Sequence, residues 1–246
     1  MNDVIRSEFR KLRTTRTAFG LLAGAVVLTG LALWGSLGSA THAELAAGLS
    51  SPYGYAGVLI VVALFVLVFA IRSYTDEVRH GSIVPTFLAT PNRLRVLAAK
   101  GVVAVVGAAV FAVAALAVGI GVIAWYLAAH GFAVSVAVGT LAGLFGRGIL
   151  IAVMWSAIGL SIGVVVRHQV AAIVGTLAWL FVAENIVGSL VPSVGHWLPA
   201  SAAGTAAGIA NPDALMTPLV GMLVLAAWAA GAVGLAATVI TRRDVS

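Results

Sequence analysis

The residues able to do chemistry in this chain are few, and they fall into two groups. Of eight acids in 246 residues, Asp76 and Glu77 stand side by side in "SYTDEVRHGS", Ser73 to Ser82, with Arg79 and His80 beside them. Arg147 and Glu184 form the second group, each a single ionisable residue in long apolar sequence. Neither group fits a catalytic pattern. No G-x-x-x-x-G-K-[ST] loop occurs, nor any Gly-Lys pair, so no P-loop cradles ATP here. No H-E-x-x-H occurs, and no two histidines sit one helical turn apart to share a metal. An intramembrane protease of the Glu-Glu type needs adjacent glutamates, and Glu184 stands alone. Without cysteine the chain has no disulfide, thiolate metal ligand or thiol nucleophile. These absences lead us to expect a protein that is not an enzyme and has no metal or cofactor of its own.

The elements that must position these residues follow from composition. The chain is 61% hydrophobic and only 9% charged, with mean hydropathy +1.11. A soluble domain is about half apolar and a quarter charged, so most of this surface belongs in lipid. Six apolar runs are long enough to cross a bilayer: Ala18 to Leu37, Gly54 to Ile71, Gly101 to Leu127, Gly148 to Val166, Val170 to Leu190 and Leu219 to Ile240. A helix spans the hydrocarbon with about 17–25 residues, and none of the runs alternates as a strand would. The apolar segment 131–146 is expected to be a half-membrane, re-entrant helix. Thr41-His42-Ala43 loosely resembles a signal cleavage site, but the preceding run is longer than a signal peptide's, so an uncut first helix is expected.

Thirteen of the fourteen Lys and Arg residues fall on one side of these runs. Arg6, Arg10, Lys11, Arg13 and Arg16 precede the first; Arg72, Arg79, Arg93, Arg95 and Lys100 join the second to the third. Arg167 joins the fourth to the fifth, and Arg242 and Arg243 follow the sixth, leaving Arg147 alone on the other side. The positive-inside rule then places both termini in the cytoplasm, with the chain in the cytoplasmic (inner) membrane. Trp34, Tyr53, Tyr55, Trp125, Tyr126 and Trp197 gather near the opposite surface as an interfacial belt. The pI near 10.5 reflects this topology rather than a nucleic-acid partner.

Residues 1–17 read as an amphipathic helix on the membrane surface. Val4, Ile5, Phe9 and Leu12 share one arc and Arg6, Arg10 and Arg13 the opposite one. Glu8 breaks the pattern by falling in the apolar arc. Between the second and third runs, Asp76-Glu77 and Arg79 suit a short helix with acids at its N-terminal end, closed by Gly81 in a left-handed conformation. Thr90-Pro91-Asn92 then breaks the chain before the third run. The pairs Gly20/Gly24, Gly139/Gly143 and Gly159/Gly163 have the spacing that lets helices approach closely in lipid. Val191 to Pro212, with three prolines, predicts short broken helices at the outer surface.

"DEVRHGSIVPTFLATPNRLRVLAAK" closely resembles the first cytoplasmic loop of permease subunits from type-2 ATP-binding-cassette (ABC) exporters. In that family a glutamate, a Gly-Ser or Gly-Thr pair, a leucine-rich stretch, a Thr-Pro and a lysine recur in this order. Here they are Glu77, Gly81-Ser82, Phe87-Leu88, Thr90-Pro91 and Lys100. The head "SEFRKLRTTRT", the tail "TRRDVS" and "GLSIGVVVRHQVAAIVGTLAWLFVAENIV" are similar to actinobacterial members. The resemblance implies one permease domain over 1–246: an all-α polytopic membrane protein with six transmembrane helices, an N-terminal elbow helix (1–17), a cytoplasmic coupling helix (loop 73–97) and short outer re-entrant helices. It implies an elbow set of Glu8, Phe9, Lys11 and Leu12, and a coupling set of Asp76, Glu77, Arg79, His80, Gly81 and Ser82. Two copies of a separate ATPase subunit, carrying ATP and Mg, would drive a pair of permease chains, alike or different. A mainly apolar path favours an amphipathic or hydrophobic compound such as a drug or natural product. The alternatives are a lipid or glycan exporter of the same family, or a non-transporting scaffold or sensor that anchors a cytoplasmic partner.

At about 1.5 Å per residue, Glu184 lies about 20 Å above the inner boundary. Arg147 then lies near the same outer level on the preceding helix. An unpaired charge there is costly, so a structural pair, snorkelling of Arg147, or a gate or substrate contact through Glu184 is expected.

Overall fold

A computed structural model describes residues 2–42, 45, 52–90, 92–132, 134, 138–209 and 216–242. Within these the chain is helical and contains no strand. The helices used below are α1 (Asn2–Thr14), α2 (Arg16–Gly38), α3 (Pro52–Arg79), α4 (Ile83–Ala89), α5 (Arg93–Ala129) and α6 (Val138–Val166). They continue with α7 (Gln169–Ala178), a π-helical turn over Trp179–Ala183, α8 (Glu184–Leu190), α9 (Pro192–Gly195), α10 (Pro199–Ala207) and α11 (Pro218–Arg242).

Among the described residues, six helices are long and apolar enough to cross a membrane: Arg16–Gly38, Gly57–Arg79, Arg93–Ala129, Val138–Val166, Gln169–Leu190 and Pro218–Arg242. They contain all six apolar runs except the start of the second, which extends to Pro52 within α3. The reason is physical: in lipid each backbone N–H and C=O must find its partner within the helix. The 37 residues of α5 reach about 55 Å, well beyond the roughly 30 Å of hydrocarbon. A crossing along the membrane normal would leave some of its turns beyond the membrane core; Asn92 caps the first turn by accepting the Arg95 N–H at 3.0 Å.

The bundle is organised around α3 and α6. A Cβ on Gly159 would lie 2.6 Å from the Leu67 carbonyl oxygen, and one on Gly163 would lie 2.8 Å from that of Ile71. Only glycine permits this approach. Of the three glycine pairs, this one makes the tight seam. Gly24 faces Phe65, while Gly20, Gly139 and Gly143 meet nothing.

Several local expectations change. Val138 to Gly146 are not a separate half-membrane helix but the first turns of the spanning helix α6. Residues 133 and 135–137 lie outside the described set. The outer segment does break into short helices, yet α10 is packed into the protein rather than resting on its surface. Ala202 and Ala206 are fully buried, and a Cβ on Gly221 of α11 would lie 2.7 Å from the Ala202 oxygen. Residues 210–212 of that segment lie outside the described set. Asp76 to Arg79 form no independent short helix; they are the last turn of α3, so the acids sit at a C-terminal end. The short helix lies later, at Ile83–Ala89. Gly81 does close α3 in the left-handed region, with φ +69.

Three residues of the expected aromatic belt meet at one end of the bundle. Trp34 stacks on Trp125 at 5.5 Å between ring centroids and meets Tyr126 edge-on at 6.1 Å. The side chains of Tyr53 and Tyr55 lie outside the described set. At the opposite end Arg93 donates to the Ile240 carbonyl and Arg79 to Gln169, which brings the basic termini of four helices together.

Candidate functional site

Glu8, the misfit of the amphipathic helix, is the key to the basic end. The arc of α1 carrying Val4, Ile5 and Leu12 turns toward the bundle, and Glu8 turns with it until only 6% of its surface remains exposed. Lys100 meets it from α5. That lysine sits in the second turn of a long apolar helix and is 1% exposed. Its Nζ lies 2.9 Å from Glu8 Oε2 and 2.6 Å from Glu77 Oε1. A third hydrogen goes to the Ser73 carbonyl at 3.2 Å, so all three ammonium donors are used. Lys11 closes the ring from the more exposed side, 2.6 Å from Glu8 Oε1 and 2.7 Å from Glu77 Oε1.

Two carboxylates and two ammoniums thus form a closed, neutral ring joining α1, α3 and α5. Burial alone pushes the Glu8 carboxyl upward, but Lys100 and Lys11 outweigh it and hold the group below its ordinary value. Burial likewise pulls Lys11 down, and Glu77 with Glu8 more than reverse it, leaving Lys11 raised. One atom is left over. Glu77 Oε2 is buried and has no hydrogen-bond partner among the described residues.

The rest of the predicted coupling set lies around this ring without joining it. Asp76 pairs one helical turn back with Arg72 at 3.0 Å. Arg79 donates to Gln169 at 3.2 Å, tying the end of α3 to the start of α7. His80 folds back on the Asp76 carbonyl oxygen, 2.7 Å from its Nδ1, and Ser82 reaches the Glu77 carbonyl at 3.4 Å. In the elbow set, Leu12 packs against the main core and Phe9 is half-buried. The contact that sequence reasoning missed is Glu8 with Lys100. Each residue alone was visible as a charge in apolar sequence; nothing in the spacing joined them across 92 positions.

Beyond the ring, the turn at Gly81 projects α4. Ile83 (6% exposed) and Phe87 seat it against Tyr74 and Leu97, and Arg93 lies over the Phe87 ring at 5.6 Å. The adjacent face carries Val84 and Leu88, 45% and 78% exposed. Pro91 lies outside the described residues.

Arg147 and Glu184 are not brought together. Arg147 is exposed on α6 and forms no ion pair among the described residues. Glu184 is 5% exposed; it accepts the Trp179 indole N–H at 3.1 Å and the Ala200 backbone N–H at 2.9 Å. The expected structural pair is therefore replaced by a clamp joining the π-helical turn to α10. The π turn explains why: its widened coil carries Trp179 to within reach of Glu184, five residues on.

Two apolar spaces adjoin this clamp, and Glu184 lines neither. A cavity of about 260 Å³ lies between Leu59, Ala63, Trp155, Leu180, Phe181 and Ala203. A larger crevice of about 870 Å³ is lined by four indoles, those of Trp155, Trp179, Trp197 and Trp228.

One further spacing is resolved by the fold. Gly159-Leu160-Ser161-Ile162-Gly163 has the G-x-S-x-G form of a serine nucleophile. Here it runs through an unbroken helix, Ser161 is 3% exposed, and its hydroxyl donates to the Ala157 carbonyl at 2.7 Å. Its glycines form the α3–α6 seam, and among the described residues the Ser161 hydroxyl's hydrogen-bond partner is that backbone carbonyl.

No protein-family model and no curated protein matches the chain. Fold and site define its class as a multi-pass α-helical membrane protein, whose basic end carries a buried four-residue ionic ring and a projecting short helix.

Proposed function

We propose that the chain is the membrane-embedded permease subunit of an ATP-driven exporter, of the type-2 ABC kind that its loop sequence resembles. In this reading the basic end faces the cytoplasm, α1 is the elbow helix and α4 is the coupling helix. A separate ATPase subunit, in two copies, binds ATP and Mg and performs the hydrolysis; a second permease chain completes the path. The observation that carries the reading is the pair Val84 and Leu88, left bare on a seven-residue helix that Ile83 and Phe87 seat against the bundle. An apolar knob projecting from the basic end suits insertion into a groove of another protein. The ionic ring supports it by making α1, α3 and α5 move as one body when α4 is pushed. The apolar cavity and the indole-lined crevice favour an amphipathic or hydrophobic cargo.

The experiment is reconstitution in vesicles with an ABC ATPase subunit that co-purifies with this chain from its native membrane. ATP-dependent efflux of an amphipathic dye is expected, and Leu88→Asp abolishes it while the partner's own ATPase activity persists. Efflux unchanged in Leu88→Asp removes α4 from the coupling. Binding of the ATPase without transport of any dye or lipid tested makes the chain a scaffold.

A further inference from the structure

Four of the chain's six tryptophans, Trp155, Trp179, Trp197 and Trp228, line the crevice of about 870 Å³ between α6, α7 with its π turn, α10 and α11. The other two, Trp34 and Trp125, stack on each other. Among the described residues, none of the four crevice indoles stacks on another ring, so no aromatic side chain covers their faces. Two are fixed by their N–H edges instead: Trp179 donates to Glu184 at 3.1 Å, and Trp228 to the Trp197 carbonyl at 2.8 Å. Trp155 is buried, while Trp179, Trp197 and Trp228 are each close to half exposed.

These walls favour a cation. Of the aromatic side chains, an indole attracts a positive charge over its face most strongly. No Lys, Arg, Asp or Glu lines the crevice, so no basic side chain there repels a cation or competes for the rings. Behind Trp179 lies Glu184, 5% exposed and within the spanning segment Gln169–Leu190. Both of its oxygens accept N–H donors, from Trp179 and Ala200, as an ionised carboxylate does. Both donors are neutral, and no ion pair reaches Glu184 among the described residues. The N-terminal end of α10, where Ala200 lies, offsets about half a unit of charge. The rest is uncompensated. Charge acts at a distance where the dielectric constant is low, so a cation in the crevice is drawn to Glu184 without touching it.

We propose that the indole-lined crevice binds a hydrophobic organic cation, with its charge over the indole faces in the field of Glu184 and its apolar substituents against Leu223 and Val224. Trp179 joins the two attractions, because donating its N–H to a carboxylate also enriches its ring in electrons. The binding is independent of the export reading; taken with that reading, it makes the cargo positively charged.

Equilibrium dialysis of the detergent-purified chain tests it with tetraphenylphosphonium and tetraphenylborate, ions of the same shape and opposite charge, each corrected for uptake by empty micelles. No ATPase is present, so failure of binding and failure of efflux are separate results. The phosphonium is expected to bind about tenfold tighter than the borate, the worth of one partly screened charge. Glu184→Gln should weaken the phosphonium about tenfold and leave the borate no weaker, whereas a merely structural role would weaken both ions alike. Trp228→Leu, at a half-exposed position, should weaken the phosphonium about fivefold, with Trp228→Phe recovering most of the loss. It keeps the test valid if Glu184→Gln does not fold. Trp34→Leu, in the other aromatic cluster, should change neither ion. Equal binding of the two ions, as a slot for lipid acyl chains would give, would overturn the proposal. So would tighter binding of the borate, a preference for the cation that survives both Glu184→Gln and Trp228→Leu, or as large a loss in Trp34→Leu as in Trp228→Leu.

Discussion

Replacing Lys100 by Met removes the centre of the ionic ring with little change in shape. In the intact protein this ammonium, 1% exposed, holds Glu8 at 2.9 Å, Glu77 at 2.6 Å and the Ser73 carbonyl at 3.2 Å. Without it two buried carboxylates share one remaining cation, Lys11, whose side chain is 45% exposed. Breaking a buried ion pair by removing one partner costs about 3–5 kcal/mol, because the charge left behind stays out of water. Lys11→Met removes two contacts as short, yet its more exposed position places the loss nearer about 1 kcal/mol. Adding Glu8→Gln to Lys100→Met removes one stranded charge, so the double variant should be more stable than the sum of the singles predicts. Thermal unfolding in detergent, followed by tryptophan fluorescence, measures these four proteins and Glu8→Gln alone. The expected order is wild type, then Lys11→Met, then the double variant, with Lys100→Met lowest. A Lys100→Met protein that melts with the wild type, or single effects that simply add, would refute the ring as a coupled unit.

Gly159→Ala should destabilise the chain by about 1–3 kcal/mol, since the new methyl meets the Leu67 backbone oxygen at 2.6 Å. Gly139→Ala, where nothing lies within 4 Å, is the neutral control in the same melting assay. Glu184→Ala should cost about 1–3 kcal/mol by freeing the Trp179 and Ala200 donors. Glu184→Gln, which keeps one acceptor, should cost less, and an equal loss in both would mean that the charge matters more than the clamp. The ring also sets a pH window. Glu8, held below its ordinary value of 4.5, contributes stability above that pH and loses it as acid carries the pH through the lowered value. Lys11, raised above 10.5, contributes fully below that pH and loses it as alkali passes the raised value. Melting temperature against pH should therefore fall at both extremes in the wild type, with the acid step smaller in Glu8→Gln.

The spans were legible because lipid imposes a length and an unbroken apolar run, and both are written directly in the sequence. The left-handed close at Gly81 was legible too, because few other residues adopt that conformation. The boundary between α3 and α4 was not. Asp76-Glu77 looks like a helix start by charge, yet the preceding span continues through it because Glu77 is neutralised by lysines from two other helices. The same blindness hid the ring, since three of its four ion pairs join residues 23, 66 and 92 positions apart. Glu184 was visible as out of place, but its partners were a backbone amide and an indole. Neither announces itself by charge, and Arg147 was the cation expected at the same depth, which suggested a pair.

The central claim is that α4 transmits force from an ATPase to the spans. Its most direct measurement is ATP-driven dye efflux from vesicles holding this chain and the ATPase subunit that co-purifies with it, compared between wild type and Leu88→Asp at equal assembly. The account predicts efflux that requires ATP in the wild type, and ATP hydrolysis without efflux in the variant. Efflux without ATP, or the same efflux from both proteins, would contradict it.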